Sequence, residues 1–265
     1  MRRRDLPAAS SIMTTFAVAA MALSPTPLPS GPDAMVRQAA SAVTLALTEG
    51  EVHRQTVRMP LSDAMYAEKE EGFVADRALG WQGGPTETLR YLSPMAGRLL
   101  QEVRTAENTG GLPAKITEQV LLDFDGSSLL TAESPAGPLY DVQALLQANT
   151  DDYYLKTVKA IEEQFSDTPG KSPRLFLLVN PAWRDRGSWG MLGGKKAKEL
   201  ILNRYETTFA MDQFIVRGQQ VSLVKSWPLD WTVYLNAANG DAASEPIGTF
   251  AERPKYEEID VLLRS

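Results

Sequence analysis

The chain has 265 residues, 43% of them hydrophobic and 23% charged, a balance that fits one large globular domain rather than a disordered or membrane-spanning chain. A net charge of -6 argues against a broad nucleic-acid footprint, because binding a phosphate backbone needs a concentrated Lys/Arg surface. There is no cysteine, and His53 is the single histidine, so disulfides, thiolate and multi-histidine metal sites and cysteine nucleophiles are excluded, and a Ser-His-Asp relay would hang on one residue.

At the N-terminus, Arg2, Arg3 and Arg4 precede an uncharged run from Leu6 to Pro32 whose apolar centre spans Ile12 to Leu23. As a helix that centre reaches about 18 Å, short of the roughly 30 Å hydrocarbon core of a bilayer, so it cannot span one. Two readings stay open. One is a signal h-region with small residues near Ala20 to Ala22, its arginine cluster resembling a twin-arginine signal. The other is an Ala/Ser/Pro-rich leader of plastid import. A retained leader would lie along a membrane interface or in a partner's groove through Phe16, Val18 and Met21. Residues 1–27 are therefore read as a leader or docking segment, and 28–265 as a single domain.

From Ser30, apolar residues at Met35, Ala39, Val43, Ala46 and Leu47 predict an amphipathic helix closed by Gly50. Alternation over Gln55 to Leu61 predicts a half-exposed strand. Ser62 to Gly84 reads as a long loop anchored by Trp81, and Leu89 to Val103 as a helix in spite of Pro94. Val120 to Leu122 predicts a strand running into a polar loop at Asp123. Asp141 to Gln147 and Asp151 to Phe165 read as helices, and Leu175 to Val179, apolar throughout, as a central strand covered on both faces. A helix is expected from Lys195 to Phe209. Closely spaced strands then follow at Gln213 to Arg217, Val221 to Trp227, Trp231 to Leu235 and Gly248 to Arg253, with a last helix opened by Pro254. The fold class expected is α/β: one domain around a mixed sheet, with parallel βα units in the N-terminal half, antiparallel hairpins in the C-terminal half, and flanking helices.

Two strings resemble catalytic motifs without completing them. Asp123, Phe124, Asp125, Gly126 and Ser127 are similar to the first motif of haloacid-dehalogenase-type phosphatases, which would make Asp123 the nucleophile and Asp125 the general acid/base. The later parts of that pattern are missing, because the next strand ends in Asn180 and Pro181. A polar turn is the simpler reading. Gly190, Gly193, Gly194, Lys195 and Lys196 invite a phosphate-loop reading, but Trp189 stands where a Walker loop needs glycine and Lys196 where it needs Ser or Thr. His53, and the acidic pairs Glu162/Glu163 and Glu257/Glu258, read as solvated groups. No catalytic residue, metal set or cofactor motif is assigned.

The most distinctive string runs from Leu175 through Asn180, Pro181, Ala182, Trp183, Arg184 and Asp185. By itself it reads as a strand-end Asn-Pro turn followed by either a core tryptophan or a recognition surface. It resembles the signature of a chloroplast family of unknown molecular function that includes the stromal Low PSII Accumulation assembly factors of plants and algae. The segment from Leu28 to Gly50, the block ending Val216, Arg217, Gly218, and the final Arg253, Pro254 and Ile259 also fit, so the likeness covers residues 28–265. Ala182 departs from it, since the family pattern has Gln there. The resemblance brings no catalytic residues. It implies a plastid protein, peripheral to the thylakoid membrane and on its stromal side in preference to the lumen. Its partners would be subunits of a photosystem or another thylakoid complex, met through Asn180, Pro181, Trp183, Arg184, Asp185 and Arg217. No transmembrane helix is expected.

Overall fold

The computed structural model describes residues 25–61, 84–105, 111–113, 115–122, 125–163, 174–183, 186–236 and 244–264. Phe16, Val18, Met21, Trp81, Asp123, Arg184 and Asp185 lie outside the described residues. In chain order the helices are α1 (Pro32–Thr48), α2 (Pro85–Thr105), α3 (Asp152–Glu163), α4 (Gly190–Ala197) and α5 (Tyr256–Leu262), and α4 runs on into a π-helical turn, Lys198–Leu202. The strands are β1 (Arg54–Arg58), β2 (Lys115–Leu122), β3 (Ser127–Glu133), β4 (Val142–Leu146), β5 (Leu175–Val179), β6 (Glu206–Val216), β7 (Gln219–Ser226), β8 (Trp231–Leu235) and β9 (Glu245–Phe250).

All nine strands join one mixed sheet in the order β2-β3-β4-β5-β1-β6-β7-β8-β9. The centre is parallel: β4 with β5, β5 with β1, and β1 with β6. Both flanks are antiparallel, through β2-β3-β4 on one side and β6-β7-β8-β9 on the other. The expected α/β class with a mixed sheet is the one observed, and antiparallel pairing also reaches into the N-terminal half.

Helices cover both faces. α1 and α2 pack on one face through Met35, Val36, Ala39, Leu92, Ala96 and Leu99, over the alternate residues Val57, Ala144, Leu177 and Phe209. On the opposite face, α3, α4 and the π-turn cover Leu145, Phe176 and Leu178, while α5 covers Ala210, Leu223 and Val233. Pro94 lies inside α2 without ending it, and a buried stripe of Leu92, Met95, Ala96, Leu99, Leu100 and Val103 holds that helix on the sheet. Among the described residues, no helix is long and apolar enough to cross a membrane.

Several expectations need correction. Asp141 to Gln147 is the buried strand β4, not a helix. The helix expected from Lys195 to Phe209 ends at the π-turn, and Phe209 lies inside β6, which starts at Glu206 rather than Gln213. β1 is not half exposed. Two of its polar residues are buried against partners: Gln55 donates to the Val43 carbonyl of α1 at 3.1 Å, and Arg54 forms a bidentate pair with Glu162 of α3 at 2.6 and 2.7 Å. Glu162 is therefore no solvated residue but 1% exposed, and it also accepts from the Tyr205 hydroxyl at 2.6 Å.

Candidate functional site

Open α/β sheets keep ligand sites outside the carboxyl ends of parallel strands, where successive connections leave toward opposite faces. Here that place lies between β5 and β1: the chain leaves β1 toward the α2 face and leaves β5 toward the α4 face. Asn180 sits at the mouth. Its φ of 48° is left-handed, a region that asparagine tolerates better than most residues. Its side chain works like a peptide group in a strand ladder, with Oδ1 accepting from the Met59 amide at 2.7 Å and Nδ2 donating to the Met59 carbonyl at 2.6 Å. Its own amide donates to the Val57 carbonyl at 2.9 Å. Arg58 adds a second clasp, with one guanidinium nitrogen 2.9 Å from the Pro181 carbonyl and another on the Trp183 carbonyl.

β4 ends in the same manner. Gln147, at φ 52°, donates from its side chain to the Gly126 carbonyl at 2.7 Å and to the Pro85 carbonyl at 3.2 Å, tying the end of β4 to the β2-β3 turn and to the start of α2. Its amide reaches the Val179 carbonyl at 3.0 Å, and the Ala182 amide reaches the Ala148 carbonyl at 2.8 Å, so β4 and β5 stay joined past their last ladder bonds. Below them, Trp183 is 3% exposed and lies against Trp189 with ring centroids 4.8 Å apart, inside the core under α3 and α4.

Asp125, the described half of the acidic string, closes this rim. One carboxylate oxygen accepts the Ser127 amide at 3.2 Å. The other accepts Asn149 Nδ2 at 3.3 Å and the Tyr154 hydroxyl, which in turn is 2.6 Å from Ser127 Oγ. Burial, reinforced by Asp125, pushes the Tyr154 phenol well above its usual range, so it stays a donor. Asp125 thus acts as a turn cap and helix anchor, and no bond joins it to Lys195, which is exposed on α4. Among the described residues, no group of three His, Cys, Asp or Glu side chains could hold a metal ion.

Arg217 lies apart from this mouth. With Gly218 it makes the left-handed two-residue turn of the β6-β7 hairpin, at φ 52° and 79°, and its exposed guanidinium pairs with Asp260 of α5. His53 stands at the opposite, amino end of β1, where its carbonyl accepts the Phe176 amide at 3.0 Å. At that end, a second buried ion pair sets Arg174 3.4 Å from Asp141, which also accepts the Ser134 amide at 2.7 Å.

A protein-family model described as Domain of unknown function (DUF1995) matches residues 29–261. The chain belongs to the DUF1995 family. No curated protein and no solved structure matches it. The DUF1995 match runs from the residue after Leu28, which packs against the core, to the outer turn of α5, and so takes in the whole nine-stranded sheet. Within this DUF1995 chain, the Asn-Pro-x-Trp string brings Asn180 and Pro181 together with Arg58 and Met59, and puts Trp183 in the core. Sequence reasoning missed Arg58, Gln147 and Tyr154, because their partners lie tens of residues away in the chain and nothing in their local sequence marks them.

Proposed function

We propose that this chain is a non-enzymatic chloroplast protein associated with a photosystem, as an auxiliary subunit or an assembly factor, peripheral to the thylakoid membrane on its stromal side. The observation that carries the reading is the strand-Asn180-Pro181-x-Trp183-Arg184-Asp185 string within the DUF1995 match, which resembles the signature shared with the Low PSII Accumulation factors. The mouth of the sheet supports it. Asn180 spends both polar atoms of its side chain on backbone groups of the chain itself, and Gln147 and Arg58 donate to backbone carbonyls, the bonding of a scaffold rather than of a substrate cradle.

The test is co-purification. Native complexes from detergent-solubilised thylakoids are expected to carry the chain, and a strain without it to accumulate less photosystem; absence from every complex together with normal photosystem levels overturns the proposal. The competing reading, a phosphate-handling enzyme built on Asp123 and Asp125, predicts phosphatase activity that Asp123→Asn abolishes. Asp125 does not favour it, because its carboxylate already accepts from Ser127, Asn149 and Tyr154.

A further inference from the structure

Within the described domain, one short stretch of this acidic protein carries a run of positive charge. Between Ser188 and Arg204 the chain carries Lys195, Lys196, Lys198 and Arg204 against the single acid Glu199, a net of +3 where the whole chain has -6. The three lysines lie on the second half of α4 and the first residue of the π-turn, and all are exposed. Lys196 makes one loose pair, 3.6 Å from Asp152 of α3, itself half exposed and shared with Lys156 at 3.0 Å. Lys195 and Lys198, three residues apart and so on one side of the helix, have no ion-pair partner among the described residues.

We propose that this α4 face binds the anionic headgroup surface of a membrane. Lysine is depleted in protein-protein interfaces, where arginine supplies the directional bidentate bonds, so an all-lysine face suits a diffuse field of negative charge better than a shaped acidic protein surface. Each lysine near an anionic leaflet adds about 1 kcal/mol, about fivefold in partitioning, and three together give on the order of a hundredfold. The inference stands on charge and placement alone. It does not depend on the plastid reading and assigns the contact to α4 of the folded domain, not to the apolar Ile12 to Leu23 segment.

The experiment is sedimentation of the full-length chain with phosphatidylcholine vesicles, with and without phosphatidylglycerol, at low and raised salt. Binding is expected only with phosphatidylglycerol, weakened by salt, and reduced by at least about a hundredfold by K195E/K196E/K198E, which reverses the three charges. Arg37→Glu, Arg90→Glu and Lys115→Glu together make the same change of net charge on exposed residues of α1, α2 and β2, and are expected to retain most of the binding. Circular dichroism checks that both triple variants are folded. Failure of the wild-type chain to bind phosphatidylglycerol vesicles overturns the proposal, as does undiminished binding by K195E/K196E/K198E or an equal loss in the two triple variants. Photosystem co-purification is read separately, so the failure of either proposal leaves the other standing.

Discussion

Replacing Asn180 tests whether the Asn-Pro string is a structural clasp. In Asn180→Ala the Met59 amide and carbonyl both lose their partner, while Met59 itself is fully buried. A buried backbone group left unsatisfied costs about 1–3 kcal/mol, and a left-handed alanine adds roughly 1 kcal/mol. The expected loss is about 3–7 kcal/mol, a large part of the roughly 5–15 kcal/mol that stabilises a typical domain. Asn180→Gly removes the same two bonds but relaxes the backbone at φ 48°, so it should lose about 1 kcal/mol less than alanine. Asn180→Asp keeps an acceptor for the Met59 amide yet sets a carboxylate against the Met59 carbonyl, so acidification through the carboxylate range should recover part of its loss. Urea unfolding of the full-length chain, followed by tryptophan fluorescence, reads all three. An alanine variant within about 1 kcal/mol of wild type at an unchanged m-value would refute the clasp, and a glycine variant no better than alanine would refute the left-handed assignment.

Gly126→Ala should be among the most damaging single changes, costing about 3 kcal/mol or more in thermal or urea unfolding, because the added Cβ would stand 2.6 Å from the Pro85 carbonyl carbon at φ +63°. Glu162→Ala strands the buried Arg54 guanidinium and is expected to cost about 3–5 kcal/mol, whereas Tyr205→Phe, which leaves that pair intact, costs about 1 kcal/mol. Tyr154 and Tyr205 are both held protonated above the ordinary phenol range, chiefly by burial and then by Asp125 and Glu162, so their contribution is complete below about pH 10 and is lost as the pH rises toward their folded-state pKa values. The alkaline fall in stability above about pH 10 should be shallower in Tyr205→Phe, by roughly 1.4 kcal/mol per pH unit; an identical slope contradicts the assignment. Deleting residues through Leu28 should lower the melting temperature, since Thr26 is fully buried, donates to Thr232 at 3.1 Å and accepts from the Tyr234 hydroxyl at 2.6 Å; an unchanged melting temperature contradicts this.

Elements with one strong periodic signal were legible in the sequence. The unbroken apolar run Leu175 to Val179 is β5, the Met35-Ala39-Val43 stripe is α1, and Trp231 to Leu235 is β8. Misreadings arose where a short buried strand mimics helix spacing: Val142, Leu145 and Leu146 fall at i, i+3 and i+4, yet β4 is apolar at these positions because helices cover both its faces. β3 gave no signal because Ser127, Ser128, Thr131 and Glu133 break its apolar pattern, although Ser127 and Ser128 are fully buried on Tyr154 and Glu118. The candidate site was legible only as a string. That Asn180 ends β5 could be read from Asn-Pro; that its amide would complete a ladder with Met59, 121 residues earlier, could not. Likewise Glu162 looked solvated because Arg54, 108 residues away, is its partner.

β1 is the middle strand of the sheet and, of the described strands, the first to leave the ribosome, yet its neighbours β5 and β6 are encoded far downstream, with Arg54 beside Phe176 and Gln55 beside Glu206. At a synthesis rate of about 5–20 residues per second, about 120 residues pass before β5 is complete and about 160 before β6 is, so the central strand waits roughly 6–24 seconds with both edges bare and longer with one. Closing so long a loop is a slow, entropy-limited event compared with forming the β6-β7 and β7-β8 hairpins. The nascent chain should therefore depend on chaperone binding around residues 54–58 until the C-terminal half arrives. Moving those residues to the C-terminus by circular permutation would relieve that dependence without altering the sheet.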